Sequence, residues 1–399
     1  MTRIAVVGIG ADGWSGLGEA ARAAVLRART VFGSERQLSL LPAEATAERR
    51  TLPSPLEPLF AELGADGGAR GVCVLASGDP MLHGIGASLA RRLGPERLDV
   101  HPHPSAFALA CARLGWPAAD VELVSAVARP PAVMARVLQP GRRIVAYATG
   151  ADGARTLARV VSDRGFGASR FVVLEDLGGS DERVTETTAQ TFDASADALH
   201  AVAIEVAVGH VHPLVPGLPD DAYETDGQLT KRHVRAATLA ALAPLPGALL
   251  WDVGAGSGSI AIEWLRADRT TRAIAIERQE PRADRIERNA LSLGVPDRLI
   301  VERGSAPEAL AGLDQPSAVF IGGGVTTPGM LDSCWHALRP GGRLVANAAT
   351  LESEQILASA RAARGGTLTR IEISHAEQIG GFTSWRAHRP VVQLSATKP

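Results

Sequence analysis

Short apolar, β-branched runs alternate along the chain with longer Ala-, Leu- and Arg-rich stretches of helical period, the pattern of an α/β protein. The runs predict strands at residues 4–7, 71–76, 97–101, 143–146, 171–174, 202–208, 248–253 and 273–276. The periodic stretches predict helices at 20–28, 86–93, 105–114, 154–163 and 232–242. The alternation breaks at residues 209–226, GHVHPLVPGLPDDAYETD, which are rich in Pro, Gly and acids and have no clear period. A strand precedes this stretch; a helix and a strand follow it. The expected division is residues 1–212 and 213–399, each long enough for its own core. The first part is expected to form two lobes that meet near residues 114–120.

Composition narrows the class. A chain of 399 residues, 46% hydrophobic, is ordered and long enough to bury more than one core. Its 41 Lys and Arg nearly balance 43 Asp and Glu. A net charge of −2 argues against coating nucleic acid or an anionic membrane. The opening MTRIAVVGIG reads as a strand entering a turn, not a secretory leader. No apolar run approaches the roughly 18 residues of a membrane span. Cys73, Cys111 and Cys334 are far apart, with no C-x-x-C pair, which excludes a disulfide scaffold or zinc ribbon and fits a reducing, cytoplasmic location. Lys231 and Lys398 are the only lysines, a bias that codon composition accounts for, but one that makes Lys231 conspicuous.

In the second half the strand LLWDV runs into Gly254-Ala255-Gly256-Ser257-Gly258 and then into the helical SIAIEWLRA. Glycines tolerate positive φ and let a ligand approach the backbone, and a helix N-terminus presents free N–H groups. About 20 residues on, a second strand ends at Glu277, an acid placed to accept ribose hydroxyls. Dinucleotide enzymes use G-x-G-x-x-G; here the spacing is G-x-G-x-G, with Asp252 on the strand before it. This resembles the class I S-adenosylmethionine methyltransferases, as do Gly304-Ser305-Ala306-Pro307, Val319–Gly324 and LRPGGRLV downstream. The IGGG at the fourth strand is not the D/N-P-P-Y/F motif used on base amino groups. Ahead of the domain, DGQLTKRHVR is either a capped helix with a solvated basic face or a rim that sets Thr230 and Lys231 over the cofactor pocket.

In the first half, Gly8-Ile9-Gly10-Ala11-Asp12-Gly13 formally matches a dinucleotide fingerprint. That motif should open a helix, yet WSGLG is a poor first turn, so a loop is expected, with a helix from near Glu19. Two further landmarks are LASGDPMLHGIG, spanning Gly78, Asp79 and Gly84, and Pro104-Ser105-Ala106 opening a helix. With VVGIGADG, PSAFALACARLGWP and FVVLEDLGGSDERV, they make this half similar to the tetrapyrrole methylases, a class III methyltransferase fold of two α/β lobes. The second half, through GLPDDAYETDGQLTKRHVRAATLAAL, LLWDVGAGSGSIAIEWLRA and AVFIGGG, resembles the decarboxylating precorrin methyltransferases, with a class I Rossmann-like fold. The two families occur fused in this order.

The resemblance implies a bifunctional corrin methyltransferase of cobalamin biosynthesis. It would methylate carbons 5 and 15 of precorrin-6B, the first half serving carbon 5. The second half would serve carbon 15 and remove CO2 from the ring C acetate, giving precorrin-8X. It implies one S-adenosylmethionine per domain, a tetrapyrrole substrate, no nucleic-acid or membrane partner, and a homo-oligomer. Carried onto this sequence, the cofactor positions are Thr230, Gly254, Ala255, Gly256, Ser257, Gly258, Glu277 and Ala306 in the second half. In the first they are Ile9, Gly78, Asp79, Gly84, Ser105 and Ala106. Thr230 and Lys231 are the catalytic candidates. Because the substrate is a polyanion, Arg232, Arg235 and Arg129 are candidate carboxylate clamps, each otherwise a solvated surface residue. One departure is Ser125-Ala126-Val127-Ala128-Arg129, where relatives often carry Ser-Leu-His-Gly-Arg; no acid–base role is assigned there. The pairs His101/His103 and His210/His212 have strand spacing for a metal, but neither has a third ligand nearby, and no metal is expected. Alternatives are an RNA or protein methyltransferase, or a non-catalytic S-adenosylmethionine-binding scaffold. Aromatics at 4% speak against the stacking face that the RNA reading needs.

Overall fold

Strands buried on both faces organise the chain. In a computed structural model describing residues 3–65, 70–197, 199–209 and 211–399, the chain divides into two units. One comprises Met1–Pro131 and Pro140–Gly209, the other Ala132–Gln139 and His210–Pro399.

The first unit has two sheets. Strands β1 (Ile4–Ile9), β2 (Thr30–Gly33), β3 (Glu48–Thr51), β4 (Val72–Ser77) and β5 (Leu98–His101) form a parallel sheet in the order β3-β2-β4-β1-β5. Strands β6 (Val121–Ser125), β7 (Arg143–Tyr147), β8 (Arg170–Glu175), β9 (Arg183–Thr188) and β10 (His200–Glu205) form a mixed sheet, β6-β7-β10-β8-β9. Central β1 and β4 are nearly wholly buried, as helices on both faces of a parallel sheet require. The one fingerprint glycine within β1, Gly8, has a packing cause. A Cβ at Gly8 would lie 2.1 Å from the Gly78 carbonyl oxygen and 2.8 Å from the His103 amide nitrogen. The expected loop after it contains one helical turn, Gly13–Gly16, before the helix Glu19–Arg27. The strand expected over 202–208 ends at Glu205, and Val208 is exposed.

The second unit is built on β11 (Leu249–Val253), β12 (Arg272–Glu277), β13 (Leu299–Arg303), β14 (Ala318–Ile321), β15 (Arg343–Ala348), β16 (Thr367–Ile371), β17 (Ser374–Ile379), β18 (Phe382–Ala387) and β19 (Val391–Thr397). Seven of these form one sheet, β13-β12-β11-β14-β15-β19-β16; β17 and β18 pair as a separate hairpin. The first five strands of the order are parallel, and β19 runs antiparallel to both neighbours. Strand order reverses between β11 and β14, so the carboxyl ends of these two strands flank a crevice, the usual ligand position of such sheets.

The Pro-, Gly- and acid-rich stretch at 209–226, where the alternation breaks, belongs largely to this unit. Leu218 and Tyr223 are in its core. Glu263, buried in the helix Ser259–Ala267, accepts from the Gly217 and Leu218 amides (2.5 and 3.1 Å) and from the Tyr223 hydroxyl (2.9 Å). Arg235 completes the cluster through its Nε, 2.5 Å from Glu263. Residues 217–223 are therefore stitched down by a buried ion pair whose lone pairs are satisfied, the condition for such a pair to be tolerated.

Candidate active sites

The glycine loop of the second unit lies at the crevice. Gly254, Gly256 and Gly258 all have positive φ (70, 60 and 75°). A Cβ on Gly258 would sit 2.8 Å from Ile286 Cγ2, whereas one on Gly256 would meet only the Gln228 carbonyl oxygen, at 3.6 Å. Gly258 is thus fixed by packing, and Gly256 by its conformation and by the space it keeps open. Gly254, Ala255, Gly256 and Ser257 line a cavity of about 760 Å³, together with Thr230, Lys231, Arg232 and the β14 and β15 ends.

Two carboxylates serve the loop. Glu277 Oε2 accepts from the Gly256 amide (2.9 Å) and Oε1 from the Gln279 amide (3.0 Å). It holds the loop's shape and stands just behind the cavity lining. Asp252, 1% exposed, also lines the cavity. Its Oδ2 accepts from the Ala261 amide (3.0 Å), while its buried Oδ1 has no hydrogen-bond partner. Burial pushes this carboxyl up to about 7. An orphaned acid beside a glycine cradle is what an absent polar ligand leaves behind, and these residues fit S-adenosylmethionine.

The remaining second-half candidates separate. Lys231 is the N-cap of the helix Arg232–Leu242, its Nζ 3.7 Å from Asp220. Arg232 donates from Nε to the Gly217 carbonyl (2.8 Å) and still faces the cavity. Arg235 is corrected: its guanidinium is fully buried and committed to Glu263, Asp220 and the Thr230 and Leu218 carbonyls, so it cannot clamp a substrate carboxylate. Ala306 packs, partly buried, against the apolar core and is not on the cavity wall. Sequence reasoning missed Arg282, Arg389, His233, His375 and His388, which also line the cavity. The last two come from the base of the β17–β18 hairpin, which carries no motif.

In the first unit, all six candidates meet on one cavity of about 440 Å³: Ile9, Gly78, Asp79, Gly84, Ser105 and Ala106. Gly78 has φ +58°, and its amide donates to the Ile9 carbonyl (3.1 Å). Asp79 Oδ1 accepts from the Met81 amide (2.8 Å), and Ser105 caps its helix by accepting from the Ala108 amide (3.1 Å). Tyr147 and His200, which the sequence reading missed, reach the same cavity from the second sheet. The Tyr147 hydroxyl accepts from the Phe107 amide (2.9 Å), and burial raises its pKa. His200 Nδ1 lies 2.7 Å from the Asp197 carbonyl, so Nδ1 carries the proton. Arg129 is elsewhere, beside a separate hollow of about 500 Å³ lined by Ala126, Pro130 and Thr156.

The histidine pairs do other work. His101 lies 3.4 Å from Asp99 and His103 3.1 Å from Asp12. His210 lies outside the described residues, and the His212 carbonyl accepts from Arg266 (2.8 Å). Among the described residues no group of three or more His, Cys, Asp or Glu could hold a metal ion, and no helix is long and apolar enough to cross a membrane.

Two α/β units, each with a glycine-lined cavity at the carboxyl ends of its parallel strands, define a tandem of S-adenosylmethionine-dependent methyltransferase folds. The tetrapyrrole (corrin/porphyrin) methylase family matches residues 3–193, and the precorrin methyltransferase domain matches residues 221–398. The chain is 47% identical over 399 residues to a Sinorhizobium precorrin-6Y C(5,15)-methyltransferase (decarboxylating), with 99% of this chain and 96% of that protein covered. The protein of the same name from Mycobacterium tuberculosis (strain CDC 1551 / Oshkosh) is 44% identical, with 99% and 100% covered. The chain belongs to the precorrin-6Y C(5,15)-methyltransferase (decarboxylating) family. A shorter relative, the probable cobalt-precorrin-6B C(15)-methyltransferase (decarboxylating) of Pyrobaculum calidifontis, is 33% identical over 187 residues, covering 45% of this chain and 95% of that protein.

Proposed function

We propose that this chain methylates a precorrin at carbons 5 and 15 and removes CO2 from the ring C acetate, with one S-adenosylmethionine bound in each unit. The observation that carries this reading is the presence of two separate glycine-lined cavities, one per unit. The first unit is assigned carbon 5, and the second carbon 15 and the decarboxylation. The half-length relative named for the C15 reaction alone supports that division.

S-adenosylmethionine, when bound, supplies an electrophilic methyl on a sulfonium. A meso carbon flanked by pyrrole-derived rings is enamine-like and already nucleophilic, so the protein's task is placement, worth several kcal/mol (about 7–11 at best). In the second unit Gly254–Gly258 set the cofactor's approach, Glu277 holds the loop, and Thr230 and Lys231 stand at the rim. Arg232, Arg282, Arg389 and Lys231 give this cavity a cationic lining suited to a polycarboxylate. In the first unit Gly78, Asp79 and Ser105 form the corresponding cradle.

The test uses the full chain carrying Gly256→Val. A branched side chain at a positive φ, facing the cavity, excludes cofactor from the second unit. Mass spectrometry should show a tetrapyrrole that gains one methyl and retains its acetate carboxylate. Wild-type CO2 release by this variant would overturn the assignment.

A further inference from the structure

Three histidines from separate segments meet on the wall of the second unit's cavity. His233 lies in the first turn of the helix Arg232–Leu242, His375 at the start of β17 and His388 just beyond β18. The His233 and His375 ring centroids are 5.4 Å apart, and those of His375 and His388 are 4.8 Å apart with the rings at 70°. The His388 amide donates to the Ile373 carbonyl (2.8 Å), which closes the hairpin base and fixes two of the rings relative to each other. His375 is central: it touches both other rings, and it is half-buried while His233 is exposed.

The other charged groups lining this cavity differ from an imidazole in chemistry or in position. Lys231, Arg232, Arg282 and Arg389 are hydrogen-bond donors with no acceptor atom to take a proton back. Asp220 is paired with Arg235 and Lys231. Asp252, its carboxyl pushed up to about 7, also lines the cavity, but it is buried at the end of β11 beside the glycine loop and stands apart from the open hairpin wall. The three imidazoles stand out on the open wall because a ring nitrogen can both give a proton and take one back.

We propose that His375 is the proton donor that completes the decarboxylation, with His233 and His388 returning a proton to it from solvent. This rests on the assignment of decarboxylation to the second unit. When the bond between the acetate CH2 and its carboxylate breaks, CO2 leaves and the electron pair stays with the CH2 carbon. The adjoining conjugated imine takes up that pair as an enamine. The carbon must then gain one proton to become a ring methyl. The His375 imidazolium gives its N–H proton, the enamine pair forms the new C–H bond, the imine is restored, and neutral imidazole remains. No oxidant or reductant is needed.

The experiment uses full-length protein, wild type beside His375→Gln, His388→Gln and Gly256→Val, with a purified precorrin and S-adenosylmethionine. CO2 loss is followed by mass spectrometry between pH 6 and about pH 8.5, a range spanning the imidazole titration. Wild-type CO2 loss should fall as pH rises through that titration, because the donor must be protonated. At neutral pH His375→Gln should lower kcat for CO2 loss by about 10²-fold, within the usual range for a general acid, and flatten the pH dependence. Its KM for the tetrapyrrole and its cofactor affinity should stay at wild-type values, the latter showing that the unit is folded. His388→Gln should give a smaller loss in the same direction. A rise in KM alone would make the cluster a carboxylate clamp and overturn the proposal. So would wild-type kcat and pH profile in His375→Gln when Gly256→Val has lost CO2 release. If Gly256→Val itself releases CO2 at the wild-type rate, the assignment of decarboxylation to this unit is what fails.

Discussion

Asp252 and Asp226 are aspartates of one unit driven in opposite directions. The Arg282 hydrogen bond, with Arg285 nearby, holds Asp226 down to about 2. Burial, with one amide donor and no cation, holds Asp252 up to about 7. A raised carboxyl makes the native state bind the proton more tightly than the unfolded chain does. Its stabilising contribution is therefore lost as pH climbs from the ordinary carboxylate range towards 7. Asp252→Asn mimics the protonated form and removes that loss. Between pH 5 and 7 the variant should gain about 2 kcal/mol relative to wild type in urea unfolding. Parallel pH profiles would show that Asp252 is ionised throughout. Glu277 acts by a different route, through two backbone donors. Glu277→Ala should weaken cofactor binding to the second unit by about 1–3 kcal/mol, read by calorimetry. An unchanged dissociation constant would mean that neither ribose nor loop depends on it.

At the level of elements, the helix Arg232–Leu242 shows what a sequence pattern conveys and what it hides. Its bounds follow from the apolar period, and the observed helix spans the residues expected. The same pattern leaves Arg235 as one more basic residue among four, with nothing to mark it as buried against a glutamate 28 positions away. Removing one member of a buried, hydrogen-bonded pair costs about 3–5 kcal/mol. Arg235→Ala should therefore destabilise the second unit by that amount, with its cofactor binding lost and the first unit's retained. A variant of wild-type stability with a raised KM would restore Arg235 as a clamp. Strands were legible where they are central: β1, β4, β11 and β12 are runs of buried apolar residues. Among the missed ones, buried β2 (TVFG) and β19 (VVQLSAT) are too short or too interrupted by polar residues to stand out, and others have little apolar signal. Edge strands β3 and β9 read ERRT and RVTETT, and both strands of the β17–β18 hairpin are largely exposed. For the same reason the glycine loops could be found from sequence, while His375, His388 and Arg389 could not. The loops need glycine at fixed spacing, whereas the hairpin residues reach the cavity through the chain path.

For the whole molecule, separate cores predict separable activities. Residues 1–212 and 213–399, expressed as two pieces, should each be soluble and bind one S-adenosylmethionine. The second piece should add a methyl and release CO2; the first should add a methyl only. Mass spectrometry of the tetrapyrrole after each incubation decides it, and CO2 loss that needs both pieces would refute the division. Where such a cut is made matters more than the composition of the connector suggests. Glu263 draws its donors from Gly217, Leu218, Tyr223 and Arg235. The second unit is thus anchored at Gly217, well upstream of the helix Arg232–Leu242. A chimaera that grafts a foreign partner onto this unit must join upstream of that glycine. Joined after Asp226, it would inherit the whole glycine loop and the histidine wall, yet strand the Glu263 carboxylate in the core with a single donor, and it should fail to fold.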